Sequence, residues 1–456
     1  MENSSKKLMK YWYRIISNVL TMAFMVVDFA WIWYRDLNPL LYTSFLFKGN
    51  FLVIGAYGCF VLLFVRSFGG FKINVYNRLN IVISQVTALL CAAAVQFFFV
   101  FILIGRVKLI PTILLSFTEM YIVQLVFCII CSPIIITIFN RIFEPYNILL
   151  IYGKDADGDI QIEKQNHNYV IRDRINCDDD IKKIKTYIDA NDMVLIDEVT
   201  EDRRAFLLRL CFEKKKKVLF APTVSNIIIN GAQCMHLLDS PLCVCRDVPL
   251  SLHECMMKRC GDVLLSILGI IILSPIMILT SLAIFLYDRG PVFYRQTRYT
   301  LDGKIFKILK FRSMIPNAEE NGEARLALKN DIRITPVGRF IRACRIDEIP
   351  QLFNILIGDM SFVGPRPERP EIADEYTKET PEFAYRLRVK AGLTGFAQVY
   401  GKYNTNYIDK LKLDMIYIEK ASILLDIQLI LLTLKVVFIK DSTEGLKEGE
   451  ITANKR

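Results

Sequence analysis

Residues 263–287 read VLLSILGIIILSPIMILTSLAIFLY, and how this run meets a bilayer decides the architecture of the chain. Its 25 residues are enough to cross a hydrocarbon core, which needs about 20. Three features argue against a crossing. Ser274-Pro275 stands at the midpoint, where proline removes a backbone hydrogen bond and clashes with the preceding turn. Both flanks are basic, with Lys258 and Arg259 before the run and Arg289, Arg295 and Arg298 after it. A crossing would also carry residues 288–456 outside the cell, against the positive-inside rule. The expectation is a re-entrant helix, broken at Ser274-Pro275, that enters the inner leaflet and returns, rather than a kinked fifth span. Ser274 can hydrogen-bond the backbone groups that Pro275 frees, which makes the break tolerable in lipid.

Upstream, four apolar runs at about 16–34, 50–66, 83–104 and 116–139 each approach the length of a membrane span. Lys6, Lys7, Lys10 and Arg14 precede the first, and Arg66, Lys72 and Arg78 lie between the second and third. The other two loops carry only Arg35 and Lys48, offset by Asp36, and Arg106 with Lys108. This bias places the N-terminus, the second loop and everything after the fourth span in the cytosol, in a multi-pass inner-membrane protein. Asp28, inside the first span, is expected to face the other helices. The N-terminal run has no small-residue cleavage site, so no cleaved signal is expected. A chain that is 53% hydrophobic, with mean hydropathy +0.32, fits a membrane part joined to soluble parts better than a transporter.

The net charge is +10, and between Arg289 and Arg345 there are 13 Lys/Arg against 5 Asp/Glu. Such a basic stretch suits anionic lipid headgroups and an anionic substrate; no nucleic-acid partner is expected. Twelve cysteines without a framework, and only three histidines, give no zinc pattern and suit a reducing cytosol. Residues 145–250 change character. Apolar strands at Asn147–Gly153, Asp192–Asp197 and Lys217–Pro222 alternate with helical patterns at Asp178–Asn191 and Glu201–Lys215, which implies a small parallel α/β domain. Its first turn, Ile151 to Gly158, lacks the glycine spacing that brings backbone N–H groups to a phosphate. A structural or regulatory role is expected for it. A last amphipathic stretch, Ala421–Lys440, carries Asp426 and Lys435 and is expected to lie on the membrane interface.

Downstream of the broken run stands Arg345-Ile346-Asp347-Glu348-Ile349-Pro350-Gln351-Leu352, followed by Gly364-Pro365-Arg366-Pro367. Pro350 suits the first turn of a helix, which makes Asp347 a candidate N-cap at a ready anion site. Asp347 is either only a cap or part of a reactive pair. Its company favours the second reading: Glu348 adds a carboxylate, and two neighbouring carboxylates can hold Mg²⁺. Arg342, Lys310, Arg312 and Arg366 supply cations whose geometry suits phosphate oxygens. A carboxylate near a metal-bound diphosphate can attack phosphorus and form an acyl phosphate.

Residues 255–440 resemble the bacterial sugar transferases, the polyprenyl-phosphate hexose-1-phosphate transferases similar to undecaprenyl-phosphate glucose and galactose phosphotransferases. The strings that carry the resemblance are Lys258-Arg259-x-x-Asp262, the run with Ser274-Pro275, the stretches from Gly290 to Arg298 and from Lys310 to Met314, Asp347 to Leu352, Gly358 to Ser361, Gly364 to Pro367, and Gly392 to Gln398. The N-terminal part resembles the larger members of the family. The resemblance implies a membrane protein of α plus α/β class. A four-helix transmembrane bundle would occupy 1–142 and a small Rossmann-like domain 143–250. A mainly helical catalytic domain would occupy 251–456, with its re-entrant helix at 263–287.

By the same resemblance, Asp347 would be the nucleophile that takes a phosphosugar from a UDP-sugar and expels UMP. Undecaprenyl phosphate would then accept it, opening exopolysaccharide, capsule or O-antigen synthesis. Glu348 would bind Mg²⁺ with Asp347. Arg342 and the Pro365-Arg366-Pro367 motif would serve the phosphates and the uridine end, and Lys310, Arg312, Gln296 and Arg298 would bind substrate with them. A homodimer is expected. The competing reading is a catalytically idle membrane scaffold for a polysaccharide-assembly complex. The chain departs from the family where members often read Arg-Val-Gly-Leu-x-Gly-Lys and this one reads Arg298-Tyr299-Thr300-Leu301-Asp302-Gly303-Lys304. That departure leaves the sugar open.

Overall fold

A computed structural model describes residues 2–73, 78–153, 168–237, 240–245, 249–315, 333–401 and 405–437. The chain divides into two compact units, Met1–Ala221 and Pro222–Arg456. Five helices are long and apolar enough to cross a membrane, four of them in the first unit.

The first unit opens with α1 (Glu2–Ile32), α2 (Lys48–Phe68), α3 (Arg78–Ile104) and α4 (Ile110–Ile142). α1 packs on α2 and α4, and α3 packs on the same two. The expected inward direction of Asp28 is observed. Its carboxylate accepts from Gln124 Nε2 at 3.1 Å, and Gln124 Oε1 accepts from the Tyr57 hydroxyl at 2.8 Å. Exposed leucines, isoleucines and phenylalanines cover the outward faces.

The α/β part that follows comprises β1 (Tyr146–Tyr152), β2 (Tyr169–Asn176), α5 (Ile181–Ala190), β3 (Met193–Asp197), α6 (Glu201–Glu213) and β4 (Lys217–Phe220). The strands run parallel in the order β2-β1-β3-β4. Leu149, Ile151, Val194 and Ile196 of the central strands meet Ile184, Ile188, Leu207 and Leu210 of the helices in one core. Strand β2 was not legible in the sequence, because it is an edge strand that carries charge on both faces, with exposed Arg172 and Arg174 flanking half-buried Asp173. Gly153 is required by backbone packing: a Cβ there would lie 2.0 Å from Glu198 O. The rest of the turn, Lys154 to Gly158, lies outside the described residues.

The second unit begins at Pro222 rather than near 250. Here α7 (Val224–Gly231) packs against a later helix of the same unit, and β5 (Gln233–Leu237) and β6 (Ser240–Val244) form an antiparallel hairpin. Then comes α8 (Leu252–Asp288), started by a capping box in which Ser251 and Glu254 exchange hydrogen bonds. The expected break at Ser274-Pro275 is absent: α8 is helical throughout its 37 residues, Pro275 included. The physical reason lies in one hydrogen bond. Pro275 has no N–H to offer the carbonyl of Ile271, and the Ser274 hydroxyl donates to that oxygen at 2.8 Å instead. The lost bond is replaced, so the chain need not leave the helix.

After α8 come the antiparallel hairpin β7 (Phe293–Tyr299) and β8 (Ile305–Phe311), α9 (Pro336–Ala343), a single 3-10 turn at Ile346–Glu348 and α10 (Gln351–Ile357). They are followed by β9 (Ser361–Val363), α11 (Pro370–Glu379), β10 (Gly392–Thr394), α12 (Phe396–Tyr400), α13 (Tyr407–Lys420) and α14 (Ile423–Val437). Helix α14 is not a free amphipathic segment. Leu429 is fully buried in a core with Leu411, Met415 and Ile418, and Asp426 is paired internally.

The N-terminal part of α8 is clamped to this domain by the Lys258-Arg259-x-x-Asp262 string. Lys258 forms an ion pair with Asp426 and donates to Val363 O at 3.0 Å. Arg259 donates to the last carbonyls of α10, Ile355 O at 2.6 Å and Leu356 O at 2.7 Å. Asp262, 6% exposed, accepts from Phe362 N at 3.0 Å and from the Ser361 hydroxyl at 3.2 Å. These residues hold the membrane helix to the domain and are not at the acidic pair.

Candidate active site

The site is built on the connection between α9 and α10. Helix α9 ends at Cys344, and Arg345 follows with φ 57°, a left-handed position that glycine usually fills. Placing an arginine there costs on the order of 1 kcal/mol. What it gains is direction: its guanidinium reaches to 3.9 Å from Glu348. The 3-10 turn then sets Asp347 and Glu348 side by side. Asp347 does not cap α10 as expected; the N-cap position is taken by Pro350, without a side-chain bond. Asp347 is thereby left free, and its Oδ1 is buried without a hydrogen-bond partner. Such an atom is costly to bury unless something else comes to it.

The neighbouring carboxylate is in the opposite condition. Glu348, 13% exposed, lies 2.9 Å from Arg366 Nη2 and 3.4 Å from Lys310 Nζ. Burial alone would raise its pKa, but Arg366, Lys310 and Arg345 outweigh burial and hold it below the usual carboxylate range. Asp347 goes the other way. Burial and then the Glu348 charge push it above its ordinary value, against the pull of Lys310, Arg342 and Arg345. Two adjacent carboxylates with opposite shifts mark a division of roles: one is fixed by cations, the other is raised and open.

The loop that delivers Arg366 is set by a close backbone approach. Strands β9 and β10 pair in parallel, and Gly364 N donates to Thr394 O while Gly392 N donates to Pro365 O, both at 2.9 Å. A Cβ on Gly364 would lie 2.2 Å from Lys390 O. The Gly364–Pro367 and Gly392–Gln398 strings thus form one joint. Two further arginines clasp it. Arg298 Nη1 donates to Pro367 O at 3.1 Å and Nη2 to Gln296 Oε1 at 2.5 Å. Arg386 Nη2 donates to Arg366 O at 3.1 Å while its Nε pairs with Asp414 at 2.7 Å. Burial brings Arg298 down to about 10, the Glu368 charge opposing.

Of the residues expected at the site, Asp347, Glu348, Lys310, Arg342, Arg366, Pro367, Arg298 and Gln296 come together around this joint, with Pro365 in its hinge. Arg312 does not: it is 7% exposed, pairs with Asp288 at the end of α8, and packs where Gly290 has no side chain. Its basic neighbourhood in the sequence concealed a structural ion pair. Ser274 and Pro275 lie on α8 and not at the pair. Arg386 and Asp414 escaped the sequence reading, since nothing local ties position 386 to 366. Arg345 had one signal, its place directly before the acidic turn.

Among the described residues no group of three His, Cys, Asp or Glu could hold a metal by itself. That is compatible with Mg²⁺, which is often held by one or two carboxylates together with substrate phosphates and water. The unpartnered Asp347 oxygen beside Glu348 fits that mode.

Comparison with known proteins follows the same residues. The family model for bacterial sugar transferase matches residues 253–440. A UDP-glucose:undecaprenyl-phosphate glucose-1-phosphate transferase of Klebsiella pneumoniae is 38% identical over 230 residues, 49% of each chain. A UDP-N-acetylgalactosamine-undecaprenyl-phosphate N-acetylgalactosaminephosphotransferase of Aeromonas hydrophila is 35% identical over 244 residues, 53% of this chain and 56% of that protein. The chain thus spans about half the length of these relatives. A glucose-1-phosphate transferase of Caulobacter vibrioides is 40% identical over 191 residues, which are 41% of this chain and 71% of that protein. With the acidic turn, the arginine joint and the membrane helix all inside the matched segment, this chain belongs to the bacterial sugar transferase family.

Proposed function

We propose that this protein transfers a hexose-1-phosphate from a UDP-sugar to undecaprenyl phosphate in two displacements at one phosphorus. In the first, an Asp347 carboxylate oxygen bonds to the phosphorus that carries the sugar, the phosphoanhydride bond breaks, and UMP leaves with the electron pair. In the second, an oxygen of undecaprenyl phosphate bonds to the same phosphorus, and the Asp347 carboxylate is released. The observation that carries this reading is the buried, unpartnered Asp347 oxygen beside a Glu348 already held by Arg366 and Lys310. A raised pKa makes Asp347 the more nucleophilic of the two carboxylates. Arg366, Lys310, Arg342 and Arg345 supply fixed positive charge for the phosphates. Asp347 and Glu348 would hold Mg²⁺, which would neutralise charge on the leaving phosphate.

The membrane part of the proposal places the active site on the cytosolic side, with α8 entering and leaving the inner leaflet. The basic flanks of α8 support it, and with α8 helical through Pro275 the turn within the leaflet would be a kink at that residue. The relatives act on glucose and N-acetylgalactosamine donors, which supports a UDP-hexose here.

The test is UMP release from a panel of UDP-sugars with and without undecaprenyl phosphate, comparing the protein with Asp347→Asn. Lipid-dependent release with one sugar, absent in the variant, is expected. Full turnover by Asp347→Asn would remove the nucleophile assignment, and no release from any donor would favour the scaffold reading.

A further inference from the structure

A cavity of about 230 Å³ opens beside the Pro365–Pro367 turn, and Arg366 is common to it and to the acidic pair. It is smaller than the roughly 300–1,000 Å³ of sites that enclose a drug-sized ligand, a size that suits one ring of a nucleotide sugar. Because Arg366 also contacts Glu348, the cavity is within reach of a phosphate at Asp347.

The chemistry of its wall is acceptor-rich. Glu368 and Asp374 contribute carboxylates and Thr377 a hydroxyl, and the Tyr299 hydroxyl donates to Asp374 at 3.2 Å. Both guanidiniums of the wall are committed elsewhere, Arg366 to Glu348 and Arg386 to Asp414 and to Arg366 O. A uracil edge presents two carbonyl acceptors for one N–H and asks for donors. A hydroxyl-rich ring donates, and carboxylates accept. Phe383 and Pro367 add apolar surface for the C–H face of such a ring. Tyr299 and Thr300 also lie in the stretch where this chain departs from the usual family string. The relatives differ from one another in the sugar that their names specify.

We infer that this cavity, on the turn that the family resemblance gives to the phosphates and the uridine end, receives instead the hexose ring of the donor, and that Asp374, Glu368 and Tyr299 select among hexoses by the configuration of their hydroxyls. The inference rests on the transfer reaction proposed above. The full-length protein would be assayed for kcat/KM with UDP-glucose, UDP-galactose and UDP-N-acetylglucosamine, and for inhibition by UMP. The variants are Asp374→Asn and Tyr299→Phe, which keep shape and remove a charge or a hydroxyl.

For the preferred donor, about a tenfold or larger fall in kcat/KM relative to its epimer is expected. The UMP inhibition constant should stay within about twofold, since the nucleotide carries no hexose. Equal losses for all donors together with weakened UMP binding would assign the cavity to the nucleoside and overturn the inference. Unchanged selectivity would overturn it as well. If neither variant folds, deoxy analogues of the preferred UDP-sugar on the unmodified protein decide the point: equal rates for every deoxy donor would refute hydroxyl recognition. No UMP release from any donor by the unmodified protein would fell the transfer reaction itself, and this assignment with it.

Discussion

Replacing Arg386 by Met separates packing from electrostatics at the joint that carries Arg366. Arg386 and Asp414 are 6% and 1% exposed and lie 2.7 Å apart. Asp414 Oδ1 already has no partner, so removing the guanidinium leaves a buried carboxylate without a hydrogen-bonded partner, with the Lys410 charge alone opposing its burial. Breaking such a pair costs roughly 3–5 kcal/mol, whereas replacing both members by apolar residues of similar volume is often neutral. For a unit the size of Pro222–Arg456, each kcal/mol lowers Tm by roughly 2–4 °C, so Arg386→Met should cost roughly 6–20 °C. The double variant Arg386→Met, Asp414→Leu should recover most of that loss. Both variants lose the hydrogen bond to Arg366 O. Both should therefore show reduced UMP release, the stable double variant included. Thermal unfolding of the purified protein followed by size-exclusion fluorescence reads the first effect, and donor turnover reads the second. A single variant within about 1 °C of the parent, far below the loss expected for a broken buried pair, would refute the burial argument. A fully active double variant would refute the positioning argument.

Three further outcomes are expected. Ser274→Ala should destabilise α8 by roughly 0.5–1 kcal/mol, but should be near neutral in a Pro275→Ala background, where residue 275 regains the N–H that Ile271 O lacks; denaturant titration in detergent checks this, and equal costs in both backgrounds would refute it. Gly364→Ala should abolish turnover, since its Cβ would meet Lys390 O at 2.2 Å, while Gly261→Ala, with nothing within 4 Å of its Cβ, should retain activity. Chelation by EDTA should stop UMP release and Mg²⁺ should restore it, with Glu348→Gln shifting the Mg²⁺ requirement upward; undiminished turnover in EDTA would remove the metal from the site.

Local pattern carried the long elements. The apolar runs, the parallel α/β alternation and the paired acids at 347–348 are all contiguous in sequence, where hydropathy, period and charge can be read over a window of 10 to 25 residues. The same local reading proposed a cap for Asp347, a phosphate role for Arg312 and a break at Pro275. The deciding partner lay elsewhere or was a single side-chain bond: Pro350 took the cap position, Asp288 pairs with Arg312 away from the acidic turn, and the Ser274 hydroxyl took the carbonyl that Pro275 left free. The joint that aims Arg366 was illegible for a related reason. Its members at 298, 364, 386, 392 and 414 are brought together only when β9 pairs with β10 and α13 packs beneath them. The sequence by itself determined which runs are long and apolar enough to cross a membrane and which two acids stand side by side. The tertiary structure decided which of two adjacent carboxylates is tied to arginine and which is left open, because burial and charge at one atom depend on groups up to 38 positions away in the chain.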